Sequence, residues 1–155
     1  MARQRAREIA FQTLFQAERG GLPLLDVWQQ VREDLQPGSS DVETEELYGS
    51  TLELETIRFA DQLIRAYAEH QQEIERQLLD LIEGWSFSQM AQTDLNVLRL
   101  AVAELLFAPK IPKEVTIEMA VRTAKKFGGE ESGRFVNGVL AKLYKKLATT
   151  TPLQG

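Results

Sequence analysis

Three arginines, Arg3, Arg5 and Arg7, open the chain, with no acidic residue before Glu8. Ala6, Ile9, Ala10, Phe11, Leu14, Phe15 and Ala17 recur at helical spacing, which predicts a helix over 3–18. The arginines therefore fall at or before its first turn, the unfavourable end for cations, because the macrodipole is positive there. An anion relieves their mutual repulsion, and the backbone N–H groups at such an end point at anions. The chemistry implied is phosphate binding. A second cationic cluster, Lys125, Lys126 and Arg134 beside Phe135, flanks a glycine-rich stretch, Gly128-Gly129. An aromatic ring next to Lys and Arg suits stacking on an unpaired base. Periodicity alone favours a core position for Phe135 and solvation for the two lysines.

The charge distribution follows the same division. The chain carries a net charge of −5, which argues against indiscriminate nucleic-acid binding, but the charge is segregated. Residues 1–7 are +3, residues 8–109 hold 6 basic and 19 acidic side chains, and residues 110–155 hold 9 basic and 4 acidic. If the two basic ends meet in the fold they form one basic surface, the electrostatic footprint of a nucleic-acid site. Catalytic constellations are missing: there is no phosphate loop, no His-Glu-x-x-His and no nucleophile elbow. With no cysteine and one histidine, His70, cysteine metal sites and a Ser–His–Asp triad are disfavoured. No cofactor and no metal site are expected, and the reading is not that of an enzyme. No apolar run approaches the roughly 20 residues needed to span a bilayer, so a cytoplasmic location is expected.

The elements that carry these residues read as helices throughout. The length fits one domain, taken as 1–148 with a tail over 149–155. Gly20-Gly21 ends the first helix, and a second is predicted over 24–35 with Leu24, Trp28, Val31 and Leu35 on one stripe. Residues 36–41 read as a loop. From 42 to 83 the pattern is helical, with breaks expected near Gly49-Ser50 and His70-Gln71. Gly84 to Ser88 reads as a connector whose Trp85 and Phe87 anchor in the core. A strongly apolar central helix is predicted over 94–107, within which Arg99 and Glu104 need partners. Thr116 is the expected N-cap of the next helix and Ser132 that of the last. Val136, Val139, Leu140, Leu143 and Leu147 face the core. Gly138 lies about 160° round the helix from Leu140. Close approach of another segment on that side, with Asn137 hydrogen-bonding its backbone, is the expected reason for a mid-helix glycine. No strand signal is found.

Two segments resemble the NusB family of bacterial transcription antitermination factors. One is Trp85 with Asp94-Leu95-Asn96-Val97-Leu98-Arg99-Leu100-Ala101 and Glu104. The other is Ile111-Pro112, Val115, Ile117, Ala120-Val121 and Ala124-Lys125-Lys126-Phe127, then Ser132 and Phe135-Val136-Asn137-Gly138-Val139-Leu140. The arginine-rich opening looks like the family's own, with Gln4 where some relatives have another arginine. The resemblance implies an all-α fold of about seven helices in two small bundles. It also implies binding of the boxA element of nascent RNA together with NusE, a small-subunit ribosomal protein. That complex supports read-through of ribosomal RNA operons, with other Nus factors and RNA polymerase engaged indirectly. By the resemblance, Arg3, Arg5 and Arg7 match RNA-binding arginines, and Glu131 and Phe135 match positions at the RNA surface. Asp94 and Phe15 match positions facing NusE, Phe15 without the hydroxyl of the tyrosine some members carry. Self-association is left open. The alternative is an accessory RNA-binding domain like those of ribosomal RNA cytosine methyltransferases.

Overall fold

The computed structural model describes residues 2–35, 46–82 and 90–150. Among them are seven α-helices and no strand, in two compact units divided between Glu69 and His70. The expected loop over 36–41 and the aromatic anchors Trp85 and Phe87 lie outside the described residues.

The first unit holds α1 (Ala2–Gly20), α2 (Leu24–Leu35) and α3 (Glu46–Glu69), each packed on the other two. The apolar face read from α1 is the buried one: Ala6, Ala10, Phe11, Leu14 and Ala17 meet Ile57, Ala60, Leu63 and Ile64 of α3 in the core. Gly21, at φ 63°, stops α1, and the Leu22 N–H closes the end by donating to Ala17 O at 3.0 Å. Trp28 of α2 is fully buried, and its indole N–H donates to Asp61 Oδ1 of α3 at 2.8 Å. Its hydrogen-bonding need is thereby met. The expected break at Gly49-Ser50 does not occur; α3 runs through it for 24 residues. One interior glycine costs about 1 kcal/mol, less than a long amphipathic helix gains by packing on two neighbours. The break at His70 does occur.

The second unit holds α4 (Gln71–Leu81), α5 (Gln92–Phe107), α6 (Lys113–Gly128) and α7 (Glu130–Thr150). α5 is central, with ten buried residues, and packs on all three others. Its two charged interior residues are paired as burial demands. Arg99 Nε donates to Glu75 Oε1 of α4 at 2.8 Å, and its guanidinium also reaches Asn96 Oδ1 at 3.0 Å. Glu104 accepts from the Thr116 hydroxyl at 2.5 Å.

That bond corrects the expected cap. Thr116 lies inside α6, buried, with its hydroxyl committed to α5; the helix starts after Pro112, which takes the cap position without a side-chain bond. Ser132 is corrected likewise. It sits inside α7 and its hydroxyl donates back to Gly128 O at 3.1 Å, across the junction. Gly129 alone separates α6 from α7, at φ 91°, a backbone conformation that favours glycine. α7 extends to Thr150, past the expected end at 148.

Candidate nucleic-acid interface

The first-turn arginines of α1 do not share one face. Arg3 and Arg7, four residues apart, lie on the same side, and both guanidiniums sit over the ring of Phe59 on α3, 5.7 and 5.5 Å from its centroid. Arg3 is exposed, whereas Arg7 is 8% exposed and so forms part of the packing. Arg5 points to the other flank, where it is exposed and lines a small surface pocket with Ile9, Leu35, Glu53, Thr56 and Ile57. No acidic residue occupies the first turn of α1. The arrangement offers two exposed guanidiniums beside the helix N-terminus, with a third held beneath. Phe59 is the residue that sequence reasoning missed. An apolar ring within the helical pattern over 42–83 reads as core, and only the α1–α3 packing reveals it as a cation–π platform.

Phe15 lies further along α1, half-buried, with its ring 6.0 Å from that of Phe11 and the Arg19 guanidinium 5.6 Å above it.

In the second unit the α6–α7 corner brings Lys125, Lys126, Glu131, Arg134 and Phe135 within two turns on either side of Gly129. Lys125 and Lys126 are exposed in the last turn of α6, where cations suit the dipole. Lys125 Nζ is 3.9 Å from Glu130 Oε2, and Lys126 Nζ stands 5.4 Å from the centroid of Phe127. Glu131 and Arg134 are exposed and Phe135 is half-buried. The corner is tight because Gly133 has no side chain: a Cβ there would stand 2.5 Å from Lys125 Cγ. The close approach expected at Gly138 is at Gly133 instead. Gly138 is exposed and a Cβ there would meet no other segment within 4 Å, and Asn137 beside it is exposed too, so neither meets another segment there.

Asp94 stands in the first turn of α5, partly exposed, favourably placed for the dipole. Its Oδ1 is buried with no hydrogen-bond partner among the described residues. No three His, Asp or Glu side chains among the described residues cluster closely enough to hold a metal ion. No helix among them is long and apolar enough to cross a membrane.

The architecture is that of an all-helical protein of two small bundles, with cations at the start of the first and at the last corner of the second. The sequence matches the NusB family over residues 4–145, and the chain belongs to that family. It is 47% identical over 146 residues to the transcription antitermination protein NusB of Thermus thermophilus, covering 94% of this chain and 92% of that one. The NusB protein of Geobacter sulfurreducens is 36% identical, with 99% of each chain covered. Among solved structures, Thermotoga maritima NusB superposes with a TM-score of 0.72 at 35% identity, over 92% of this chain and 90% of that one. A structure of antitermination factors NusB and NusE in complex with dsRNA gives 0.75 at 26% identity, over 94% and 97%.

Proposed function

We propose that the protein is a transcription antitermination factor that binds boxA-type single-stranded RNA together with NusE and supports read-through of ribosomal RNA operons. It acts in the cytoplasm by binding, not by catalysis. Family membership supports this reading over the accessory-domain alternative, as do the matched relatives, which are named as antitermination proteins. The observation that carries the RNA reading is the pair of guanidiniums over Phe59, with Arg5 exposed on the opposite flank.

In this reading Arg3 and Arg5 bind phosphates and Arg7 holds Phe59 and the helix start in place. Lys125, Lys126 and Arg134 bind backbone, the Phe135 ring stacks on a base, and Glu131 accepts from a base edge. Phosphate contacts position the RNA and base contacts select it. Asp94 and Phe15 face NusE; the partly exposed Asp94 carboxylate supplies negative charge to that surface.

The test is binding of fluorescent boxA RNA, a scrambled RNA and a duplex, with and without NusE, across a salt series. Binding is expected to be weak alone and tighter with NusE, with log K falling as log salt rises. Replacing Arg3 and Arg5 by Ala flattens that slope by about 0.7 per lost phosphate contact. Equal affinity for the scrambled RNA contradicts the boxA reading. An Asp94→Lys variant that keeps its NusE affinity removes Asp94 from the partner surface.

A further inference from the structure

The exposed side of α7 carries charge that the α6–α7 corner does not account for. Arg134, Lys142 and Lys145 are all exposed, and no carboxylate among the described residues lies within ion-pair distance of them. At 100° per residue the three fall within about 40° of Gly138, so they form one stripe along the helix. Lys146 is not part of it, since its ammonium donates to Gln77 Oε1 of α4 at 2.9 Å. Between the cations the stripe is bare. A Cβ at Gly138 would meet nothing within 4 Å, and Ala141, the next exposed residue on this side, ends at its Cβ. An interior glycine that no neighbour requires, set between unpaired cations, leaves the helix backbone open to something outside the chain.

We propose that this stripe is a second RNA-backbone contact, which carries a strand from the α6–α7 corner along α7 for about 12 Å, from Arg134 to Lys142. The inference rests on the RNA-binding reading and lengthens its footprint. Two features select a phosphodiester strand as occupant. The stripe has cations at both ends, with the half-buried Phe135 on one flank and Ala141 on the other as the only apolar side chains between them, as an anionic backbone requires and an apolar protein surface does not. It is also continuous, through Arg134, with the corner already assigned to RNA.

The experiment compares the full chain with a Lys142→Gln/Lys145→Gln variant on single-stranded RNAs of about 8 and about 20 nucleotides across a salt series. The double variant is expected to lose roughly tenfold or more in affinity for the long RNA near 0.1 M salt. It should flatten the salt slope by about 1.4, and leave the short RNA unaffected. Gly138→Gln, which places a side chain on the bare stretch, is expected to weaken long-RNA binding at an unchanged or raised melting temperature. A lowered melting temperature with unchanged RNA affinity makes Gly138 structural and overturns its part. If the double variant binds the long RNA normally while Arg3→Ala/Arg5→Ala still weakens both RNAs, the α7 contact is wrong and the RNA reading stands. If the double variant instead loses only NusE, the stripe serves a protein and the proposal falls. If the unaltered chain binds neither RNA, both fall.

Discussion

Gly133 and Gly138 stand five residues apart on one helix in opposite surroundings. A methyl at 133 drives into the Lys125 stem, which has to be displaced from Cγ onward; a methyl at 138 enters open space. Gly138→Ala is therefore expected to stabilise the protein by about 0.5–1 kcal/mol, the usual gain on replacing a helical glycine. Gly133→Ala should instead destabilise it by roughly 1 kcal/mol, because overpacking exceeds that gain. Urea denaturation of the two variants checks the opposite signs, and equal signs contradict the packing described. The arginines divide in the same manner: Arg3 and Arg5 are available to a ligand, whereas Arg7 contributes its stem and guanidinium to the α1–α3 contact.

At the scale of elements, α6 and α7 are tied by the Tyr144 hydroxyl, which donates to Glu114 Oε1 at 2.7 Å. That bond holds the Glu114 carboxyl below its ordinary pKa and raises the Tyr144 phenol above its own. The depressed carboxyl adds stability above the unfolded carboxylate pKa and loses it as pH falls through the folded value. The raised phenol adds stability below the unfolded phenol pKa and loses it as pH rises through the folded value. The tie thus acts across the neutral range and fails at both extremes. Ultraviolet titration is expected to show one phenol ionising above the ordinary range, abolished in Tyr144→Phe and returned toward ordinary in Glu114→Gln. A Glu114→Gln titration identical to the parent contradicts the bond. Element boundaries are legible where local chemistry decides them. The predicted span of α2 is the observed Leu24–Leu35, because Gly20-Gly21 and Pro23 leave one place for it to start. Thr116 and Ser132 mislead because a hydroxyl suited to a cap is equally suited to a bond with α5 or with the preceding turn. Local sequence does not say which partner is near. Phe59 and Gly133 are hidden for the same reason: periodicity names the face a residue is on, not what lies opposite. The cationic clusters themselves are legible, since charge and position in a helix are properties of the sequence alone.

At the scale of the molecule, the acidic excess lies between residues 8 and 109, while both ends are basic. A chain so divided presents different fields to an anionic and to a cationic partner. Association with NusE, read as a basic protein, is expected to be at least tenfold faster near 15 mM than near 150 mM salt, because long-range attraction is screened at the higher value. Stopped-flow fluorescence measures it, and a salt-independent rate contradicts the complementarity. The guanidiniums stacked on Phe59 carry a further, thermodynamic meaning. A free arginine gives up rotamer freedom when it grips a ligand, at about 0.5–1.5 kcal/mol for each immobilised side chain. Arg3, the exposed member of the pair, has given up part of that freedom on folding, so less of it is lost on binding. Phe59, which need never touch the ligand, thereby shapes the entropy of capture: a smaller residue there should leave the contacts possible and make them dearer to form.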